Sequence, residues 1–228
     1  MNRGCFYSVG TGPGDSKLLT LLAVETIRRA DVIAVPDSGA KENAVLNIVA
    51  EYIADKEIRS FSMPMTRNKE EQESCHQQAA ETIAALLDQG KQVAFLTLGD
   101  STIYATPMYL HKRLQAMGYD TKIIPGVPSF CAAAAALGQP LCEGRQMLHI
   151  VPGSYGDLEK TLELSGTRVL MKSGKSMGQV KELLLQRGEQ AMAVERCGME
   201  GQTLYPTLEQ LPEDPGYFCV VIAKEKEQ

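Results

Sequence analysis

A two-part α/β fold is predicted, with a mainly parallel sheet covered by helices on both faces first and a mixed sheet second. Three observations predict it. Short apolar runs alternate with helix-periodic segments through the first half of the 228 residues, Pro125-Gly126-Val127-Pro128 interrupts the chain just past its middle, and the remainder holds more strand-like runs than helices. Domains are therefore expected over 1–124 and 125–228.

Cys5 to Val9 reads as the first strand, followed by a Gly/Pro turn and a helix from about Ser16 to Arg29. There Leu19, Leu22, Ala23 and Ile27 recur at helical spacing, which predicts one buried face, with Asp15 or Ser16 as the cap. Asp31 to Pro36 reads as a strand, Glu42 to Ala54 and Glu70 to Gln89 as helices, and Val93 to Leu98 as an apolar central strand. A helix near Thr106 to Met117 and a short strand Thr121 to Ile124 complete the first part. The β-α-β-α rhythm calls for parallel strands. Beyond the interruption come an alanine-rich helix, Ser129 to Leu137, and strands near Met147 to Val151, Thr167 to Met171, Gln190 to Glu195 and Tyr217 to Ala223. Only two helices, Asp157 to Leu164 and Ser176 to Arg187, lie between them, so hairpins and antiparallel pairs are expected.

Composition narrows the function. With 23 basic and 28 acidic side chains the net charge is −5, so the broad basic footprint of a nucleic-acid binder is missing. The six cysteines form no C-x-x-C and no tight Cys/His set, which argues against a metal site and for a reduced, cytoplasmic protein. No stretch approaches the roughly 20 apolar residues of a membrane span. Of the three histidines, His149 lies in an apolar strand and reads as a core residue, while His76 and His111 lie on charged helices and read as solvated.

Val9-Gly10-Thr11-Gly12-Pro13-Gly14-Asp15 sits between the first strand and the first helix, where open α/β sheets bind ligands. Its glycines are spaced G-x-G-x-G, without the third glycine of a dinucleotide fingerprint, and Pro13 lacks an N–H that a phosphate would use. A nucleotide-binding oxidoreductase remains one reading of this loop, and a tight turn with no ligand another. After the central strand comes Leu98-Gly99-Asp100-Ser101-Thr102-Ile103-Tyr104, in which Gly99 permits close backbone approach and Asp100 can either bond a ligand or cap the next helix.

Taken in order with Pro125-Gly126-Val127-Pro128-Ser129-Phe130, these runs resemble the tetrapyrrole (corrin and porphyrin) methylase family, whose members carry V-G-x-G-P-G-D, then G-D-P-x-x-Y/F, then P-G-V/I-x-S. The resemblance spans essentially the whole chain. It implies two α/β domains, S-adenosylmethionine held in the cleft between them, a small tetrapyrrole acceptor and a homodimer. By position it places cofactor contacts on Pro13, Gly99, Asp100, Ser101, Ile103 and Tyr104, on Pro128, Ser129 and Phe130 at the junction, and on Met171 and Cys197 beyond it. The sequence departs from the pattern at Ser101, where proline is usual, and at Cys197, where some members have glycine.

Within the family, Phe61-Ser62-Met63-Pro64-Met65-Thr66-Arg67 resembles the subgroup that methylates C20 of precorrin-2. Methyl transfer from a sulfonium needs positioning and water exclusion rather than an enzyme nucleophile. Asp15 is the candidate polar group facing the reaction, with helix capping as its alternative role, and Met65, Arg67, Arg145, Lys172 and Arg196 are the candidates for acceptor binding. Core packing is the expected role of Met63. Other readings open at this point are an RNA or protein methyltransferase on the same fold, against which the negative charge weighs, and a non-catalytic S-adenosylmethionine sensor.

Overall fold

The computed structural model describes residues 3–37, 43–64, 66, 68–152, 158–172 and 176–224. The chain divides into two compact units, 1–128 and 129–228.

In the first unit five parallel strands, β1 (Cys5–Gly10), β2 (Val32–Asp37), β3 (Glu57–Ser62), β4 (Val93–Thr97) and β5 (Asp120–Ile124), lie in the order β3-β2-β4-β1-β5. The central strands are apolar on both sides because both sides are covered. Val32, Ala34, Val93, Phe95 and Phe6 face α3 (Lys69–Asp88) and α4 (Pro107–Ala116). Ile33, Val35, Ala94, Leu96 and Val9 face α1 (Leu21–Arg29) and α2 (Ala44–Ile48). Met63 packs into the first of these cores.

The second unit has β6 (Leu148–Pro152), β7 (Thr167–Met171), β8 (Gln190–Glu195), β9 (Thr203–Tyr205) and β10 (Cys219–Lys224) in the order β6-β7-β10-β8-β9. Only β6 and β7 pair in parallel; β10 runs antiparallel between β7 and β8. One face packs on α6 (Leu158–Leu162) and α7 (Met177–Gln186) through Leu162, Leu170, Val180, Leu184 and Val221. Helix α5 (Ser129–Ala136) packs on β8 and β10.

The two α/β units, the parallel first sheet and the mixed second sheet agree with the sequence reading. Several local expectations do not. Residues 16–29 are not one helix: Ser16–Leu18 is a 3-10 turn, Leu19 and Thr20 are extended, and Thr20 caps α1 by accepting from the Ala23 N–H at 3.1 Å. Within α1, at 3.6 residues per turn, Leu22 lies about 100° around the axis from Ala23 and about 140° from Ile27, so it is half exposed while Ala23 and Ile27 are buried. The second helix is likewise shorter, with a separate 3-10 turn at Ala50–Tyr52. Strands β3 and β9 were not legible. Both are sheet edges, and an edge strand with most residues solvated shows no clean apolar alternation.

All three histidine expectations are overturned. His76 and His111 are 3% and 7% exposed, His76 stacked on Tyr109 at 4.8 Å between ring centroids and His111 bonded to the hydroxyls of Ser8 and Thr121. His149 is only partly buried, with Nε2 3.0 Å from the Ser165 carbonyl oxygen. Packing of α3 on α4 buries His76 against Tyr109, and packing of α4 on β1 and β5 buries His111 beside Phe6, neither of which shows in the charged sequence around these side chains.

Candidate functional site

The first unit converges on the carboxyl ends of β1 and β4. These strands are neighbours, yet α1 after β1 packs on one face and α4 after β4 on the other. Adjacent strands whose helices depart to opposite faces define a switch point, and the loops there part to leave a crevice.

Here the two loops are zipped together. Gly12 N donates to Gly99 O (3.2 Å) and Gly99 N to Gly12 O (2.7 Å), while the amide and hydroxyl of Thr11 both donate to Thr97 O. Gly12 and Gly99 have φ of 73° and 75°, the left-handed region that other residues avoid. The β5 end joins them: a Cβ on Gly126 would stand 2.3 Å from Gly99 O, and one on Gly10 2.7 Å from Gly126 N. Backbone meets backbone at these positions, which leaves no room for side chains.

The Asp100 carboxylate is buried and its oxygens are taken by the protein itself. Oδ1 accepts from the amide and hydroxyl of Thr102, and Oδ2 accepts from Gly126 N at 2.9 Å. Asp100 therefore caps no helix; α4 starts at Pro107. Ser101 is fully buried, its hydroxyl 2.8 Å from Ile124 O and 3.1 Å from Ser8 O. A hydroxyl donor at this position ties three strand ends together, a link that proline could not make. Ile103 is half-buried, and Tyr104 is exposed with φ of 50°.

Pro13 is buried under the loop, and Asp15 is exposed, its Oδ1 accepting from Lys17 N at 2.9 Å as the cap of the 3-10 turn. Pro128 is partly buried and ends the first unit. Across residues 10–15, 97–104 and 125–128 there is no lysine or arginine, and the only ionisable side chains besides Tyr104 are the carboxyls of Asp15 and Asp100.

In the second unit Ser129 and Phe130 open α5, Phe130 being buried. Met171 ends β7 and Lys172 follows it with φ of 55°; Arg196 follows β8 with φ of 53° and leads to the buried Cys197. Because β7 and β8 both run antiparallel to the intervening β10, these four residues emerge at the same end of the sheet. Burial pushes the Lys172 ammonium below its ordinary range. Arg196 Nε donates to Glu200 O at 2.8 Å, which aims its guanidinium. Arg145 is exposed and precedes β6, so it lies at the opposite end of this sheet. Met65 and Arg67 fall outside the described residues.

The family profile of tetrapyrrole (corrin/porphyrin) methylases matches residues 6–212. This chain belongs to that family. Among its relatives, the probable cobalt-precorrin-2 C(20)-methyltransferase of Methanocaldococcus jannaschii is 38% identical over 73% of this chain and 71% of its own. The cobalt-precorrin-2 C(20)-methyltransferase of Salmonella typhimurium is 30% identical over 99% and 98%, and the precorrin-2 C(20)-methyltransferase of a Sinorhizobium species 30% identical over 96% and 94%. The fold is shared with a solved cobalt precorrin-4 methyltransferase, TM-score 0.77 at 21% identity over 96% of this chain and 94% of the other. It is also shared with the uroporphyrin-III C-methyltransferase of Thermus thermophilus complexed with S-adenosyl homocysteine, TM-score 0.73 at 22% identity over 97% and 98%.

For a tetrapyrrole methylase, the site reading missed Thr20, Thr102 and the structural part of Gly10, Gly12 and Gly126. The signal was present for the glycines, which recur at strand ends, but the hydroxyls gave none.

Proposed function

We propose that the protein transfers the methyl group of S-adenosylmethionine to C20 of precorrin-2 or cobalt-precorrin-2, a step in building the corrin ring of cobalamin. The observation that carries the reading is the chemistry of the switch-point crevice: backbone amides and carbonyls, two carboxyls and no basic side chain. A dinucleotide's phosphates would have to find donors here without the amides of Thr11, Gly12 and Gly99, which are bonded to the opposite loop, without Pro13, which has none, and beside two carboxyls, whereas a phosphate-free nucleoside bearing a sulfonium cation suits the site. The C20-methyltransferase names of relatives that match nearly the whole chain support the regiochemistry.

S-adenosylmethionine, when bound, supplies a methyl group already activated by its sulfonium. What remains for the protein is geometry. The Gly12–Gly99 bridge and the Gly10–Gly126 contact fix the strand-end backbone, so its amides and carbonyls are oriented before any ligand arrives. Ile103 and Tyr104 offer apolar surface on the same loop. In the second unit Lys172 and Arg196 supply two cations at one sheet end for the acidic side chains of the acceptor; a carboxylate beside Lys172 would offset the desolvation that disfavours its charged form. Asp15, exposed and engaged only by its own turn, is assigned to capping.

The test incubates the protein with methyl-labelled S-adenosylmethionine and precorrin-2, with and without cobalt, and locates the label by NMR. Label at C20 is expected; label at another ring carbon refutes the regiochemistry, and absence of S-adenosylmethionine binding in calorimetry refutes the methyltransferase. Lys172→Met and Arg196→Met should each raise KM for the tetrapyrrole about tenfold with KM for the methyl donor unchanged. We further propose a cytoplasmic homodimer, which light scattering after size exclusion tests for assembly. Among the described residues no helix is long and apolar enough to cross a membrane.

A further inference from the structure

Three consecutive residues at the end of the first unit are each held by a side chain from elsewhere. Ile124 O accepts from the Ser101 hydroxyl (2.8 Å), Pro125 O from the Thr20 hydroxyl (3.2 Å), and Gly126 N donates to Asp100 Oδ2 (2.9 Å). From the inner side the same backbone is blocked, because nothing larger than hydrogen fits between Gly126 and Gly99 O. Moving the segment 124–126 inward meets backbone, and moving it outward breaks these bonds. It leads directly to Pro128 and Ser129.

We propose that Asp100 is a positioning residue, acting on the bound methyl donor through the backbone of 124–128 and not by touching the donor itself. An ionised carboxylate offers about four lone-pair sites. Three of Asp100's are taken by Thr102 N, Thr102 Oγ1 and Gly126 N, and the side chain is 9% exposed. A group so engaged makes a poor direct ligand, since meeting one would mean giving up a bond that holds the loop. The negative charge still matters, because a carboxylate accepts from both Thr102 and Gly126, whereas an amide must turn its NH2 toward one of these donors. This assignment rests on the proposed S-adenosylmethionine site.

The test is a double-mutant cycle read by calorimetry with S-adenosylhomocysteine, on full-length protein below its unfolding transition, together with amide hydrogen exchange at Gly126 without ligand. Asp100→Asn should weaken binding about tenfold and Thr20→Val about threefold, and Gly126 should exchange faster in both. Thr20 and Asp100 both bond the 125–126 backbone, so the double variant should bind no more than about twofold worse than Asp100→Asn alone. A merely structural bond would lower the melting temperature and leave the affinity of the folded protein unmoved.

Effects that multiply fully, or weakened binding in Asp100→Asn with Gly126 exchange unchanged, would mean direct contact and overturn the proposal. So would wild-type affinity in Asp100→Asn. If Asp100→Asn fails to fold, Thr20→Val alone decides: faster Gly126 exchange with weaker binding supports the proposal, and either one unchanged overturns it. Failure of the wild-type chain to bind S-adenosylhomocysteine would sink the functional reading instead, and the exchange measurement would still decide whether Asp100 holds the junction.

Discussion

Gly126→Ala probes the crevice where its geometry is tightest. The added Cβ would lie 2.3 Å from Gly99 O, 2.7 Å from Gly10 C and 2.9 Å from Gly10 Cα, all backbone atoms at the ends of two central strands. An ordinary contact is about 3.5 Å, so the β5 end must move outward by roughly 1 Å. Overpacking of this kind costs about 1–3 kcal/mol. The same shift stretches the 2.9 Å bond from Gly126 N to Asp100 beyond hydrogen-bonding range, and a buried acceptor left short costs about 1–3 kcal/mol more. The two overlap, because one displacement relieves the clash and breaks the bond, so about 3 kcal/mol is expected in total. For a chain of this size that is a fall in Tm of about 6–12 °C, followed by circular dichroism, with weaker S-adenosylmethionine binding. Gly178→Ala is the control: its Cβ would come no closer than 3.8 Å to Glu213 O, on a helix where alanine is favoured. A Gly126→Ala protein that melts within about 2 °C of wild type and binds normally would refute the argument that backbone contact shapes this crevice.

Burial depresses the imidazoles of His76 and His111, with the Arg113 charge adding to the effect at His76 and the Glu73 carboxylate opposing it. The unfolded chain then binds more protons than the folded one from about pH 6.5 down to the depressed folded values. Stability should be complete above that pH and decline below it, seen as a falling urea midpoint between pH 7 and 5, and His111→Gln should flatten the decline. In the second unit Arg168, 2% exposed, pairs with Glu189 and bonds Leu164 O at 2.8 Å. Glu189→Ala leaves a buried guanidinium without its partner and should cost about 3 kcal/mol in urea unfolding; a loss under about 1 kcal/mol would show that the pair behaves as a surface one. Burial, with the Glu195 charge, pushes the Cys219 thiol up to about 12, so iodoacetamide at pH 8 should label exposed Cys142 first and reach Cys219 only on unfolding.

How far the sequence could be read depended on whether neighbours along the chain or across it set a residue's surroundings. Strands β7 and β8 were legible to the residue, since Thr167–Met171 and Gln190–Glu195 are apolar runs bounded by turns. The break at Thr20 was not, because Leu-Thr-Leu-Leu continues a helical pattern on both sides, and the capping bond to Ala23 is joined by a bond to Pro125, 105 positions away, in favouring the extended form.

For the site the same division holds. The ordered glycine and proline motifs placed the loops at the strand ends, because tight turns and close backbone approach need those residue types wherever the fold puts them. What Asp100 does with its carboxylate was not readable, since ligand, helix cap and backbone clamp all ask for the same acidic side chain. By itself the sequence determined the class of fold, the family and the loops that follow β1, β4 and β5. Only the tertiary structure decided that Asp100 faces Gly126, that Ser101 ties β1 to β5 and that His76 and His111 are buried, because each depends on segments between 10 and 103 positions apart meeting in space.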